Sequence, residues 1–281
     1  MKFEKIKSYA KINLALNVTG KTSLLHKIET IVAFVSLHDE IFIKKIRSKR
    51  HIIYFYGRFS KEIGKKNTVS DLLKILEKKK IIKEEKFYIK INKKIPHKAG
   101  LGGGSMNAAS ILRYLIKKKN IKISGKKIKE ICRLIGSDVI LGYNSTFSIL
   151  SKKMEVRHFS NCKKFYTLIV KPKFGCSTKD IFKQVNKFNR PKFNKPNKKM
   201  FNLDYIKNLN NQLEQIVLSK YPILRSIKLY LENILDPVFV RMTGSGSALV
   251  AYFPSKKRCE NAKKKFHKKY KNYWCIASKT I

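Results

Sequence analysis

Four glycines within five residues, at positions 100 to 104, lead directly into a segment with the spacing of an amphipathic helix. Glycine loses more backbone entropy on folding than any other residue, so such a run persists where the backbone approaches a partner closely or takes a positive φ. Ile111, Leu112 and Leu115 form the apolar face of the helix, and Ser105 or Asn107 is predicted to cap it. The free N–H groups and the positive dipole end at such a junction favour an anion, typically a nucleotide phosphate.

This glycine run differs from two familiar nucleotide motifs. No Gly-Lys-Ser/Thr sequence closes it, as a Walker A loop requires, and the third glycine of the dinucleotide fingerprint would fall on Ser105. A second glycine turn, TGSGS at residues 243–247, lies between two predicted strands. Alone it is typical of a hairpin turn, and beside a phosphate loop it is a candidate second wall of the same site.

The charge of the chain is strongly positive, with 64 Lys and Arg against 18 Asp and Glu among 281 residues, a net charge of +46. The lysines are spread along the sequence, arginine is sparse, and no zinc-finger or RNP1 pattern is present, so we expect a lysine-rich solvated surface and no nucleic-acid partner. The positive field would still attract phosphorylated small molecules.

Cysteine usage and hydropathy place further bounds on the function. The five cysteines are odd in number and include no CxxC pair, which argues against a disulfide framework or a zinc site. The N-terminus lacks the pattern of a signal peptide, and the most apolar stretch, residues 30–37, is far shorter than the roughly 20 residues that span a bilayer. We expect a soluble, cytoplasmic protein with no membrane partner.

The order of predicted elements indicates an α+β protein with two lobes that meet near residues 150–165. Period-two alternation predicts strands at the N-terminus, over 28–37 and over 40–46, whereas helical spacing predicts a helix over 67–80 that Asn67 or Thr68 caps. Later helices are predicted over 203–220 and 222–235. The Pro-, Asn- and Lys-rich residues 187–200 are interpreted as a surface connection or a mobile loop.

Three single residues attract attention before any comparison. Lys11 lies within a strand of apolar residues, where a solvated lysine is out of place. Asp138 follows Gly136 at a predicted helix end, where a helix cap or turn carboxylate is the plainer interpretation. His26 follows a turn, a position typical of a surface or packing residue.

Taken together, AKINL at residues 10–14, PHKAGLGGGSM at 96–106 and TGSGS at 243–247 resemble, in this order, the three motifs of the GHMP kinases. Within that superfamily the chain is most similar to the members that phosphorylate 4-diphosphocytidyl-2-C-methyl-D-erythritol in the non-mevalonate isoprenoid pathway. The resemblance covers nearly the whole chain. It implies a two-lobed GHMP kinase fold, with an N-terminal lobe of ribosomal-protein-S5-domain-2-like type over residues 1–155, a C-terminal α/β sandwich lobe over 156–281, and the active site in the cleft between the lobes.

The resemblance also assigns the site residues. It implies that Lys11 and Asp138 are catalytic, that Asn13, His26 and Phe182 bind the cytidyl substrate, and that Gly244 and Gly246 form the third motif. The implied ATP-binding loop consists of Pro96, His97, Lys98, Ala99, Gly100, Leu101, Gly102, Gly103, Gly104, Ser105 and Met106.

Some positions depart from the family pattern. Leu25 stands where the family has a tyrosine that stacks on the base, Met106 stands where a second serine is usual, and Ile140 replaces a proline. The implied reaction is transfer of phosphate from ATP, with Mg²⁺, to the 2-hydroxyl of the cytidine diphosphate sugar alcohol, by a monomer or a homodimer. The alternatives are a mevalonate- or homoserine-type kinase and, from another class, a non-catalytic polyanion or RNA binder on the same scaffold.

Overall fold

The computed structural model describes residues 2–22, 26–118, 121 and 123–281. Its strands are β1 Glu4–Lys21, β2 His26–Ile46, β3 Ile52–Tyr56, β4 Lys86–Asn92, β5 Phe147–Leu150, β6 Val156–Phe159, β7 Tyr166–Lys171, β8 Phe239–Met242, β9 Leu249–Phe253 and β10 Trp274–Lys279. Its helices are α1 Thr68–Lys78, α2 Gly103–Lys118, α3 Gly125–Ile135, α4 Val139–Gly142, α5 Thr178–Lys183, α6 Leu203–Lys207, α7 Gln212–Lys220, α8 Pro222–Ile234 and α9 Lys256–Lys269, with a 3₁₀ helix over Lys198–Phe201. This mixture of helices and sheets confirms the predicted α+β class.

The chain divides into two compact units. The first comprises Met1–Lys11, Leu37–His97 and Gly102–Ser145, and the second comprises Ile12–Ser36, Lys98–Leu101 and Thr146–Ile281. The boundary near residue 155 that the resemblance implies stays a prediction. Within the described residues, no helix combines the length and the apolar character that a membrane crossing requires.

In the first unit, β4 lies between β3, which is parallel to it, and the second half of β2, which is antiparallel to it. One face of these strands is apolar because alternate residues, such as Ile41 and Ile43 on β2 and Ile89 on β4, point the same way and are buried. Helices α1, α2 and α3 contribute their apolar sides to the same core. Asn67 caps α1, as predicted, by accepting hydrogen bonds from the backbone of Val69 and Ser70.

In the second unit, the first half of β2 pairs with β5, and β5 pairs with β6. A separate antiparallel sheet has the strand order β10-β7-β9-β8, and its central strand β9 is buried at every residue. Its neighbour β7 is buried from its second residue onward. Near-continuous apolar runs of this kind are expected where both faces of a sheet are covered.

Several element boundaries differ from those predicted. The two strands predicted over 28–37 and 40–46 are one continuous strand, β2, because the polar residues at 38–40 keep the extended conformation. The single helix predicted over 203–220 is two helices, α6 and α7, since Asn211 caps a new helix start. Strand β6, helices α4 and α5 and the 3₁₀ helix were not predicted, because elements of six residues or fewer are too short to show a clear period.

Candidate active site

Lys11 and Asp138, both in the first unit, form an ion pair. The Nζ atom of Lys11 lies 3.1 Å from Oδ2 of Asp138, and the side chains are 3% and 27% exposed. Lys11 is buried because its strand, β1, is buried on both faces over this stretch. Asp138 stands at the N-cap position of α4 but makes no capping hydrogen bond with its side chain. The plain interpretation of this aspartate as a helix cap is therefore wrong, and its carboxylate meets the buried ammonium instead.

The second half of the glycine loop packs directly on Lys11. Gly102 has φ +69°, and a Cβ atom added there would lie 2.9 Å from Cγ of Lys11. Helix α2 begins at Gly103, with the N–H of Met106 bonded to the carbonyl of Gly102 at 2.8 Å. Ser105 is therefore in the first turn of α2, and the predicted cap at Ser105 or Asn107 is wrong because Gly102 takes that role. The first N–H groups of the helix point toward this end of the loop.

A buried carboxylate, Asp39 on β2, fixes the entry to the loop. Its Oδ1 atom accepts hydrogen bonds from the backbone N–H of Lys94 at 2.7 Å and of Ile95 at 2.9 Å, and its Oδ2 atom pairs with the ammonium of Lys93. Asp39 is fully buried and Lys93 is 4% exposed. The Lys93 ammonium lies 3.4 Å from the position of a Cβ added to Gly103, at the start of α2. Sequence reasoning missed Asp39, whose one signal is its place in the short polar stretch 38–40 between two apolar runs.

The start of the loop carries two other predicted residues. Pro96 is buried, whereas His97 is exposed and its Nδ1 atom lies 3.1 Å from the carboxylate of Glu62. Because both members of that pair are largely exposed to solvent, it contributes little to stability. His97 therefore belongs to the loop by position, and its ring faces the surface.

In the second unit, residues 98–101 of the loop pack against the third motif. A Cβ atom on Gly100, which has φ +72°, would overlap the carbonyl oxygen of Thr243. The hydroxyl of Thr243 lies 3.1 Å from the carbonyl oxygen of Gly100. Gly244 and Gly246 also have positive φ, at +55° and +81°. The structure thus brings the third motif together with this part of the loop.

Asn13 and Thr30 form a buried polar cluster with Thr243 in the same unit. The backbone N–H of Asn13 donates to the hydroxyl of Thr243 at 3.0 Å, and its side-chain amide donates to the hydroxyl of Thr30 at 2.9 Å. The Thr30 hydroxyl in turn donates to the carbonyl of Ala15 at 2.6 Å. Asn13 is 1% exposed, so its side chain is held in a fixed orientation.

His26 and Phe182, predicted from distant parts of the sequence, lie side by side in the second unit. Their ring centroids are 5.1 Å apart with the planes tilted by 38°. Burial, aided by the positive charge of Lys21, lowers the pKa of His26 below its ordinary value, which favours the neutral form of the ring. A neutral imidazole offers one hydrogen-bond donor and one acceptor. Leu25, the departure noted in the sequence, lies outside the described residues.

Mg²⁺ is the metal that the sequence resemblance implies. Across the part of the chain that the structure describes, no three His, Cys, Asp or Glu side chains converge on a metal site. Magnesium in nucleotide sites is held mainly by phosphate oxygens and water, with one or two protein oxygens. The partly exposed carboxylate of Asp138 and the hydroxyl of Ser105 fit that demand.

Comparison with known proteins gives a consistent result. Residues 67–151 match the family model of the GHMP kinases N terminal domain. A 4-diphosphocytidyl-2-C-methyl-D-erythritol kinase of Pelagibacter ubique (strain HTCC1062) is 54% identical over 277 residues, covering 99% of each chain. One of Clostridium beijerinckii is 30% identical and covers 95% of this chain and 97% of its own length. The crystal structure of a 4-(cytidine 5'-diphospho)-2C-methyl-D-erythritol kinase has a TM-score of 0.79 at 20% identity, covering 99% of this chain and all of the other, and so shares the fold.

Proposed function

Because the chain belongs to the 4-diphosphocytidyl-2-C-methyl-D-erythritol kinase family of the GHMP kinases, we propose that it transfers the γ-phosphate of ATP to the 2-hydroxyl of 4-diphosphocytidyl-2-C-methyl-D-erythritol. The observation that carries the proposal is the ion pair of Lys11 with Asp138 beside the N-terminal end of α2. A mevalonate- or homoserine-type kinase fits less well, since the relatives that match almost the entire chain are named as kinases of the cytidyl compound.

Phosphoryl transfer to an alcohol requires mainly positioning and neutralisation of charge. In this proposal Asp138 accepts the proton of the attacking hydroxyl as its oxygen bonds to the γ-phosphorus, and the bond to the β–γ bridging oxygen breaks to leave ADP. The Lys11 ammonium, 3.1 Å from the carboxylate, would offset negative charge at the attacking oxygen. One carboxylate and one ammonium suffice, so no covalent enzyme intermediate is needed.

The glycine loop supplies the phosphate-binding part of the proposal. The N–H groups of the first turn of α2, at Gly103, Gly104 and Ser105, have no carbonyl partner earlier in the helix and would bind phosphate oxygens. Asp138 and Ser105 would contribute oxygen ligands to the Mg²⁺ that accompanies ATP, and that ion would supply positive charge next to the triphosphate. The net charge of +46 favours approach of two substrates that both carry phosphates.

The cytidyl end of the substrate is assigned to the second unit. We assign base recognition to His26 and Phe182, because Phe182 offers an aromatic ring for stacking and the neighbouring imidazole offers hydrogen-bonding nitrogens. Asn13 is assigned to the same substrate, and its fixed side chain would orient a polar group without further loss of rotamer entropy.

The test is ADP release by purified protein with ATP, Mg²⁺ and each of three alcohols: the cytidyl compound, mevalonate and homoserine. We expect turnover with the cytidyl compound alone, and a loss of about 10²–10⁴ in kcat for Asp138→Asn. Asp236 provides the matched control, because it also pairs with a cation, Arg258, at 3.4 Å but is largely exposed. Asp236→Asn should retain wild-type turnover. Turnover with another alcohol, or an active Asp138→Asn variant, would refute the proposal.

A further inference from the structure

Phe188 lies in the connection between α5 and the 3₁₀ helix, with 48% of its surface exposed. Phenylalanine is among the residue types most often buried in folded proteins, yet about half of this side chain remains in contact with water. Its centroid lies 6.4 Å from that of His26, with the planes tilted by 54°. The exposed ring is therefore within aromatic contact range of the histidine that the proposed function assigns to the base.

The backbone on both sides of Phe188 is held by hydrogen bonds. The carbonyl of Lys187 accepts from the side-chain amide of Gln212 at 2.7 Å, and the carbonyl of that amide accepts from the N–H of Val18 at 2.8 Å. On the other side, the N–H of Asn189 donates to the carbonyl of Val18 at 2.9 Å. The two neighbours of Phe188 are thus tied to the same residue of β1, directly or through Gln212.

The connection is anchored again a few residues later. Glu29 on β2 is fully buried, and its carboxylate accepts from the N–H of Lys192 at 2.6 Å and of Phe193 at 3.0 Å, and from the side chain of Asn17 at 2.9 Å. Phe193 itself is 1% exposed. Residues 187–193 of the Pro-, Asn- and Lys-rich segment are therefore a surface connection held by hydrogen bonds, and the ring of Phe188 is exposed on it.

These contacts give His26 an aromatic neighbour from each of two separate elements, Phe182 on α5 and Phe188 on the connection. Bases stack on aromatic side chains that remain open to solvent, and about half of the surface of Phe188 is exposed. The residue before His26 is Leu25, which offers no ring.

We propose that Phe188 stacks on the cytosine ring of the substrate, so that the base is bound by Phe188 together with Phe182 and His26. This inference rests on the proposed function. Phe188 thereby acts as a specificity-determining residue for the cytidyl group, and it takes no part in phosphoryl transfer.

The test compares Phe188→Ala, Phe188→Tyr and wild type by calorimetric titration with cytidine monophosphate, which needs no catalysis, and by steady-state kinetics. For Phe188→Ala we expect the Kd for cytidine monophosphate and the KM for the cytidyl substrate to rise about tenfold, with kcat and the KM for ATP unchanged. Phe188→Tyr keeps the ring and should bind like wild type. Tyr205, 38% exposed on α6, provides the control, and Tyr205→Ala should not alter either constant.

The outcomes separate the two proposals. A folded Phe188→Ala variant with unchanged affinity for cytidine monophosphate, in a protein whose wild type phosphorylates the cytidyl substrate, overturns the role of Phe188 and leaves the proposed function intact. A parallel loss of affinity for ATP would mean a general structural defect and would also overturn it. A wild type that neither binds cytidine monophosphate nor phosphorylates the cytidyl substrate refutes both.

Discussion

Replacing Gly102 with alanine tests whether the glycine loop positions the lysine of the ion pair. The new Cβ atom would lie 2.9 Å from Cγ and 3.2 Å from Cε of Lys11, closer than ordinary van der Waals contact. Lys11 cannot swing into solvent to relieve this contact, because its side chain is 3% exposed. Its ammonium would therefore shift relative to Asp138, from the present distance of 3.1 Å.

The size of the effect follows from these contacts. A left-handed conformation, here φ +69°, costs a non-glycine residue about 1–2 kcal/mol. A misplacement of about 1 Å in a catalytic group can cost about 10²-fold in rate. We expect kcat for Gly102→Ala to fall about 100-fold, and the melting temperature to fall by about 2–4 °C for each kcal/mol lost.

The assay is ADP release at saturating ATP and cytidyl substrate, with thermal unfolding of the same preparations. Gly125→Ala is the control, because Gly125 opens α3 and a Cβ atom there would meet nothing within 4 Å. That variant should keep its kcat and its stability. If folded Gly102→Ala retained kcat within about threefold of wild type, the packing of the loop on Lys11 would not set the geometry of the ion pair.

Two further predictions concern stability. Asp39→Asn leaves the buried ammonium of Lys93 without a negative charge beside it, so we expect the free energy of unfolding in urea to fall by about 3–5 kcal/mol. The double variant with Lys93→Met should recover most of that loss, and a loss below about 1 kcal/mol for the single variant would contradict the role of this pair. Burial lowers the pKa of His158, whose Nδ1 atom lies 2.8 Å from the hydroxyl of Ser148. As the pH falls toward the ordinary histidine value of 6.5 and below it, the unfolded chain therefore binds more protons than the folded protein, and the free energy of unfolding decreases. His158→Gln should make this decrease shallower in urea titrations between about pH 7 and pH 5. His26 and His51, whose pKa values are also lowered, contribute in the same direction and should leave part of the decrease in place. An unchanged slope would contradict this assignment.

The break between α6 and α7 is an element boundary that helical spacing in the sequence does not predict. Spacing alone predicts one helix over 203–220, but Asn211 caps a new helix, its Oδ1 atom accepting from the N–H of Leu213 at 3.1 Å. The amide nitrogen of the same side chain donates to the carbonyls of Met242 at 2.9 Å and Gly244 at 2.8 Å. The cap is a local signal that the helical spacing overrides, whereas the bonds to Met242 and Gly244 depend on residues far along the chain.

Those parts of the site that depend on neighbouring residues are encoded in local sequence patterns. Glycines at positions 100 to 104 require close approach or positive φ, as Gly100 and Gly102 show, and the apolar spacing after them forms α2. Lys11 inside an apolar strand had to be buried, and a buried charge needs a partner. Propensity and periodicity operate over a few residues, which is why these features were visible.

Contacts between distant residues depend on the tertiary structure. The fold places Asp138 beside Lys11 and lets Asp39 accept a hydrogen bond from the segment before the glycine loop. It also places the ring of Phe188 next to that of His26. Each of these contacts joins residues that are distant in sequence, so it depends on the path of the strands and on which side chains lose water together. Such contacts are settled by packing of the whole chain, and no local pattern of residue types encodes them.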